Sequence, residues 1–293
     1  AEVARIVAGM FGGRISGDGE FRLVVEGSAI GDVEVVLDTA WRSAAGNRLA
    51  ELGLELSRAV VPVEVVTEPL DPEMLMPRME RLCVTLRERG ALGSRDGFFL
   101  GFGVHLNVEV AAMTAPAIVP VLRAYAFLED WLRATRPLDP SRRVLPFVDP
   151  YPRRLVDALA DPEAAEWTLP MLTGRYLDLN ASRNRGLDML PILRAIDEDA
   201  VTEALWDASA VHARPAFHYR LPDSRIDEPD WSLADLWNRW CLVERIAADA
   251  DMLDRLAQAW RAHRASLTTL RGDWADTVDT MLSGRAEADT APA

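Results

Sequence analysis

Lysine is absent from this 293-residue chain, so all of its 32 Lys+Arg residues are arginines. The absence excludes a phosphate-binding loop built on lysine, a Schiff base to pyridoxal phosphate and the strand lysine of protein kinases. A GC-rich genome that favours arginine codons explains the bias. The three lysine-dependent sites are excluded whatever the cause of the bias. If the protein handles phosphate, it must use arginine, backbone amides or metal ions.

Cysteine is scarce, with only Cys83 and Cys241 present. Two cysteines form neither a disulfide framework nor a zinc cluster, which fits a reducing cytoplasm. The first residues, 1–5, lack a secretory pattern and an initiator methionine, so we expect a processed chain or one that begins partway through a longer protein. No apolar run approaches the ~18 residues of a membrane-spanning helix.

The chain has fewer basic than acidic residues. The 32 basic residues face 46 Asp+Glu, and 32 − 46 gives a net charge of −14. This balance argues against nucleic acid or an anionic membrane surface as the main partner, because both attract a basic face. At 49% hydrophobic and 27% charged residues, the composition is that of a globular protein.

Strand and helix patterns alternate without a regular βαβ rhythm, which predicts an α+β fold with a largely antiparallel sheet. We expect one domain over residues 1–283 and a frayed tail at 284–293. The predicted strands are 21–25, 33–38, 60–66, 98–110 and 216–221. The predicted helices are 1–11, 45–58, 71–89, 114–135, 153–160, 187–206, 232–247 and 250–282, with a Pro-rich loop at 136–152.

Four predicted strands carry polar side chains on one face, because residues two apart in a strand share a side. The sets are His105, Asn107 and Glu109; His218 and Arg220; Glu64 and Glu68; and Glu34 and Asp38. If these strands lie in one sheet, its polar side gathers carboxylates, imidazoles and an arginine. That collection suits divalent metal ions together with an anionic substrate.

The alternative for each strand is a solvated face with no ligand, which antiparallel sheets often have. The residue types weaken that alternative, because His, Asn, Glu and Arg lie beside Gly97, Gly101 and Gly103. Glycine inside a strand often marks the close approach of a ligand or another backbone.

A polar loop, residues 180–186, precedes the predicted helix at 187–206. Its amides and either Arg183 or Arg185 could meet an anion at the helix N-terminus. Taken alone, a helix-capping loop with solvated arginines explains it better.

Four segments, in this order, resemble the motifs of the amidoligase family, which is related to glutamine synthetase and glutamate–cysteine ligase. They are VPVEVVTEPL (61–70), FGVHLNVEV (102–110), YLDLNASRNRGLDMLP (176–191) and RPAFHYRLP (214–222). The resemblance extends from about residue 5 to residue 260, and the four ordered motifs together are far more specific than any one of them.

The resemblance implies a glutamine-synthetase-like fold, with a curved, mainly antiparallel sheet and helices packed on its convex face. It implies ATP and Mg²⁺ or Mn²⁺ as cofactors, and small-molecule or peptide carboxylates and amines as substrates. The implied reaction is amide-bond formation through an acyl phosphate. It needs no lysine, in agreement with the composition.

Carried over by motif, the resemblance implies three groups of site residues. Arg220, His218 and Arg185 would be catalytic, and Asn180, Arg183, Asn184 and Arg220 would bind the nucleotide or substrate. The metal ligands would be Glu64, His105, Asn107, Glu109 and Asp38. This interpretation requires Glu64, His105 and Arg220 to point into a common hollow.

Two departures from the family pattern leave other functions open. The opening acidic strand of the family is missing upstream of Ala1, and Val36 stands where a glutamate is expected. Losing carboxylates weakens a multi-metal site. Two explanations of these departures are open. We expect either a chain that lacks its N-terminus or a degenerate relative that binds without turnover. A metal-dependent hydrolase using His105 and the glutamates is a third hypothesis.

Overall fold

The computed structural model describes residues 1–17, 22–37, 63–93, 103–139 and 148–290. Backbone contacts divide the chain into two compact units. The first holds residues 1–103, 139–146 and 223–236, and the second holds residues 104–138, 147–222 and 237–293. The single domain predicted over residues 1–283 stays a prediction.

The first unit contains an antiparallel sheet with helices on one face. Its helices are α1 (Glu2–Phe11) and α2 (Pro72–Glu88), and its strands, in sheet order, are β1 (Arg14–Ser16), β2 (Arg22–Ser28), β3 (Gly31–Leu37) and β4 (Val63–Thr67). Apolar side chains from alternate strand positions and from both helices form a buried cluster, which includes Val7, Val25, Val33, Val35 and Leu82.

Ion pairs between arginine and glutamate cover the opposite face of this sheet. Arg14 Nη2 lies 2.6 Å from Glu26 Oε2, and Arg22 pairs with Glu34. All four side chains are more than 40% exposed, so each pair contributes little to stability. The register of β3 and β4 puts Glu64 on this same face, where it is exposed.

The second unit is built around a long central helix, α3 (Ala115–Thr135). Most of its side chains are buried on all sides, as expected for a helix inside a protein. The other helices are α4 (Arg153–Leu159), α5 (Leu169–Asn180), α6 (Leu190–Ile196), α7 (Glu198–Ala204), α9 (Ala250–Ala265) and α10 (Arg271–Thr290), with a 3₁₀ turn at Pro162–Glu166. Helix α8 (Leu233–Ala247) begins in the first unit and belongs to the second from Trp237 onwards.

A three-stranded antiparallel sheet packs against this core. Its strands are β5 (Leu106–Glu109), β6 (Leu187–Asp188) and β7 (Ala216–Tyr219), in the order β5-β7-β6. One face is apolar and joins the main hydrophobic cluster through Leu106, Val108, Leu187, Phe217 and Tyr219. The other face is therefore left for the polar residues that alternate with them.

The predicted α+β class with antiparallel pairing is confirmed, and so are the helices predicted at 1–11, 71–89 and 114–135. The described strands form two sheets, whereas the resemblance implies one curved sheet. The likeness to glutamine synthetase stays a prediction. Among the described residues, no helix combines the length and apolar character needed to cross a bilayer.

Several predicted boundaries differ from the structure. The region predicted as one helix at 187–206 contains β6 and two short helices, and the one at 250–282 is two helices. Helix α5 was not predicted, and α10 extends to Thr290, into the segment predicted as a frayed tail. The helix predicted at 45–58, part of the 98–110 strand and part of the 136–152 loop lie outside the described residues.

Candidate functional site

A row of three polar side chains crosses the second sheet. In the antiparallel register Asn107 lies opposite His218, and His218 lies opposite Asp188. Directly opposite residues share a face, so all three project away from the apolar core. The two pairings of β7 therefore join two of the predicted site residues to a carboxylate that was not predicted.

His105 lies beside this row. Its ring packs edge-to-face on that of His218, with centroids 5.1 Å apart and planes at 85°. This arrangement is a favoured one for aromatic pairs. Glu109 lies on the same face of β5, opposite Ala216, and its side chain is exposed. The predicted set His105, Asn107 and Glu109 thus shares one face with His218.

Asp188 is the buried member of the row, with 2% of its surface exposed. Its Oδ1 accepts a hydrogen bond of 3.0 Å from the backbone N–H of Leu190, and its Oδ2 lies 3.5 Å from His218 Nδ1. Burial lowers the pKa of His218, and the Asp188 carboxylate opposes that change. The removal of water from the imidazole outweighs its attraction to the carboxylate.

Arg220 lies two residues beyond His218 and is 8% exposed. Its Nη1 donates a hydrogen bond of 3.0 Å to the carbonyl of Arg183, and its backbone N–H donates one of 2.8 Å to the carbonyl of Gly186. Strand alternation puts Arg220 on the same face as His218. The 180–186 loop and the end of β7 therefore meet at this guanidinium group.

Arg185 is held by two acceptors within the second unit. Its Nε donates a hydrogen bond of 2.6 Å to Asn180 Oδ1, and its Nη1 donates one of 3.0 Å to the carbonyl of Pro150. Asn180 is 2% exposed, and its Nδ2 has no hydrogen-bond partner among the described residues. Arg183 and Asn184 are half-buried in the same loop. These two hydrogen bonds of Arg185 therefore hold the 180–186 loop in place.

The family model described as putative amidoligase enzyme matches residues 1–242. The chain belongs to the amidoligase family. Membership indicates a ligase-type function. The comparison with curated proteins found no match, and neither did the comparison with solved structures.

Two further residues of this amidoligase, Glu64 and Asp38, were predicted as metal ligands. Glu64 is exposed on β4 of the first unit, and Asp38 lies outside the described residues. The predicted convergence of Glu64, His105 and Arg220 stays a prediction.

The described residues of this site can be compared with the ligands that Mg²⁺ and phosphate require. Within the described ranges, no group of three His, Cys, Asp or Glu side chains could hold a metal ion. Mg²⁺ prefers oxygen ligands in octahedral geometry, whereas His105 and His218 offer nitrogen. The described residues alone therefore do not fit a magnesium site. Arg220 and the amide of Asn180 are donors of the kind that phosphate oxygens accept.

Asp188 is the residue of this site that the sequence patterns did not predict. It follows the loop in a region predicted as helix, and a strand of two residues has no alternation from which it could be recognised. The available signal was chemical: a carboxylate lies between Leu187 and Met189, which are both fully buried in the structure. A buried carboxylate needs a partner, and a nearby histidine or arginine is the usual one.

Proposed function

We propose that this amidoligase is an ATP-dependent carboxylate–amine ligase that forms an amide bond through an acyl phosphate. Family membership supports the reaction class. The observation that carries the assignment to this site is the row Asn107–His218–Asp188, with Arg220 directly after the last residue of β7. This site presents an imidazole and a carboxylate that contacts it, both on paired strands, and a cation.

The proposed chemistry has two steps. A carboxylate oxygen of the substrate attacks the γ-phosphorus of ATP, the bond to ADP breaks, and an acyl phosphate forms. The nitrogen of the amine then attacks the acyl carbon, and phosphate leaves with the carboxylate oxygen that attacked. The amine nitrogen gives up a proton, so the products are an amide, ADP and inorganic phosphate.

Arg220 suits the first step, because a guanidinium donates two parallel hydrogen bonds to phosphate oxygens and spreads their charge. Its own position is set by the carbonyl of Arg183. His218 suits the second step as the acceptor of the amine's proton. Asp188 lies 3.5 Å from His218 Nδ1 and would hold the imidazole in one orientation.

Nucleotide binding in this proposal uses Arg220 and the loop that contains Asn180, Arg183 and Asn184. Arg185 acts indirectly, because two of its donors fasten that loop to Pro150 and Asn180. Bound ATP would supply the phosphoryl group that activates the carboxylate. Since the described residues do not complete a magnesium site, we assign no step to a metal ion.

The test is ADP release in the presence of ATP, divalent cation and a panel of amino acids or short peptides. We expect release that requires both a carboxylate and an amine. Arg220→Gln should lower the rate by about 100-fold, as removal of a donor to developing charge does in other enzymes. Arg175→Gln is the matched control, because Arg175 is exposed on α5. Equal rates for the two variants would contradict the role of Arg220.

A second candidate is a degenerate member of the family that binds without turnover. Two features favour it. Glu26 and Glu34 form ion pairs with Arg14 and Arg22. The described residues also contain no group of three His, Cys, Asp or Glu side chains that could hold a metal ion. Isothermal titration with ATP and Mg²⁺ separates the candidates. Binding without ADP release under any substrate pair supports the degenerate member, and coupled ADP release eliminates it.

A further inference from the structure

A buried carboxylate on α3 binds the segment that precedes α4. Glu129 is 1% exposed. Its Oε1 accepts hydrogen bonds from the Tyr125 hydroxyl at 3.2 Å and from Arg133 Nη2 at 2.8 Å. Its Oε2 accepts one of 2.8 Å from the backbone N–H of Tyr151. These partners offset the large cost of burying a charge, so the Tyr151 backbone is part of a strongly specified network.

Further donors fix the same segment through its carbonyls. Arg133 Nη2 donates to the carbonyl of Val148 at 2.5 Å, and Arg271 Nη2 donates to that of Tyr151 at 2.8 Å. Arg271 is itself paired with Asp130, with 2.7 Å between Nη1 and Oδ1. Residues 148–151 are thus held against α3 and α10 by charged groups, although they form no helix or strand.

The side chain of Tyr151 reaches from this segment to the strand that carries Asp188. Tyr151 is fully buried, and its hydroxyl donates a hydrogen bond of 2.7 Å to the carbonyl of Leu187. The Tyr125 hydroxyl lies so close to Gly186 that a Cβ atom there would overlap it. Two tyrosines bound to Glu129 therefore contact the two residues immediately before Asp188.

The strand β6 needs such support. It has two residues and, among the strands that the structure describes, pairs with β7 alone, so few backbone hydrogen bonds define its position. A phenylalanine would fill the core as well as Tyr151 does, and burying a hydroxyl is costly unless it is bonded. The hydroxyl therefore contributes a specific contact to the Leu187 backbone as well as apolar packing.

We propose that Tyr151 and Glu129 are positioning residues, which hold β6 in register so that the Asp188 carboxylate stays against His218. The effect on catalysis rests on the proposed ligase function, whereas the effect on β6 does not. Neither residue needs to touch a substrate. Each acts through the backbone of Gly186–Asp188.

Tyr151→Phe tests this proposal, because it removes the hydroxyl and keeps the ring. The first readout is native-state hydrogen exchange of the Arg220 amide, which donates to the carbonyl of Gly186, relative to the Leu128 amide in α3. We expect hydrogen exchange at the Arg220 amide to accelerate about tenfold more than at the Leu128 amide. In the variant, local opening around β6 no longer has to break the hydrogen bond from residue 151 to the carbonyl of Leu187, so opening costs less free energy. The second readout is turnover, for which we expect kcat to fall about tenfold and KM to change little.

Trp274→Phe is the matched control, because it also removes one buried hydrogen bond to a backbone carbonyl, from Nε1 to Phe127 at 2.9 Å. It should not accelerate hydrogen exchange at the Arg220 amide more than at the Leu128 amide, and it should leave kcat unchanged. The proposal would be overturned if the ratio of exchange at Arg220 to exchange at Leu128 were the same in Tyr151→Phe and Trp274→Phe. It would also be overturned if Tyr151→Phe lost protection selectively at Arg220 but kept its kcat. If the unmodified protein shows no ligase turnover, the proposed function fails, while the exchange ratio still decides whether Tyr151 holds β6.

Discussion

His218 and Asp188 lie directly opposite each other on neighbouring strands, with Nδ1 and Oδ2 3.5 Å apart. Their side chains are 13% and 3% exposed, so water competes little for the contact. A separation at the upper end of hydrogen bonding is common where a pair tightens only when substrate binds. The pair is fixed by backbone on both sides, through β7 and through the network behind β6.

Replacing Asp188 by asparagine should separate orientation from packing. The amide keeps the shape but loses the charge that favours one imidazole orientation, so we expect ligase turnover to fall about 10- to 100-fold. The measurement is kcat for ADP release, with circular dichroism as the check of folding. Asp161→Asn, which changes an exposed helix cap, is the control. Unchanged turnover in Asp188→Asn would remove Asp188 from the site.

Gly186 should tolerate no side chain, because a Cβ atom there would overlap the Tyr125 hydroxyl and lie 3.2 Å from Leu221 Cβ. We expect Gly186→Ala to lower the free energy of unfolding by about 1–3 kcal/mol, the usual cost of overpacking. Adding Tyr125→Phe removes the overlapping oxygen and should recover part of that loss.

The control for this prediction is Gly174→Ala. Gly174 lies on an exposed face of α5, and a methyl group added there would have nothing within 4 Å. Its replacement should raise stability by about 0.5–1 kcal/mol, because alanine favours helix. Denaturant unfolding measures these three variants and the single variant Tyr125→Phe. If the losses of unfolding free energy in the two single variants simply add in the double variant, the Tyr125 hydroxyl is not what excludes a side chain at Gly186.

Thr173→Val should stabilise the protein. Thr173 is 3% exposed on α5, and its hydroxyl has no hydrogen-bond partner among the described residues. Removing an unsatisfied buried hydroxyl while keeping the shape should raise the free energy of unfolding by about 1 kcal/mol. Thr280→Val, which removes an exposed hydroxyl bonded to the carbonyl of Asp276, should not. A loss of stability in Thr173→Val would mean that an ordered water satisfies the hydroxyl.

His263 should make stability depend on pH. Its ring centroid lies 5.7 Å from those of both Trp260 and Trp274, and burial lowers its pKa from the usual 6.5, with Asp273 opposing the change. Below about pH 6.5 the unfolded chain therefore binds a proton that the folded chain does not, so stability falls as pH falls.

The measurement for His263 is denaturant unfolding between pH 5 and 7.5, compared with His263→Gln. The variant should lose less stability than the unmodified protein as the pH drops through this range. Titration of the ring by NMR checks the direction independently. A pKa of His263 above 6.5 would contradict the prediction.

The elements with strong local signals were predictable from sequence. Helix α2 begins at Asp71-Pro72, where the Asp71 side chain caps the Glu73 amide at 2.8 Å, and the start and stop residues marked it correctly. Helix α5 was missed, although Thr168 caps it and Pro170 occupies its first turn. The reason is that its buried stripe contains Thr173, Tyr176 and Asn180, so the apolar period is weak.

The site was predictable where alternation along one strand sufficed. His218 and Arg220, and separately His105, Asn107 and Glu109, follow from period two alone. Which strands pair is a long-range property, and no local pattern indicated that Asn107 lies opposite His218. The same limit explains why Asp188 was missed, because its partner is 30 residues away in sequence and is brought close only by β7.

The most direct test of the ligase assignment follows an oxygen atom. With a carboxylate substrate labelled with ¹⁸O, ATP, a divalent cation and an amine, we expect one labelled oxygen to appear in inorganic phosphate for each amide formed. Arg220→Gln should lower the rate of this transfer, and Arg175→Gln should not. Amide formation with unlabelled phosphate, or release of phosphate that needs no carboxylate, would contradict the acyl-phosphate route.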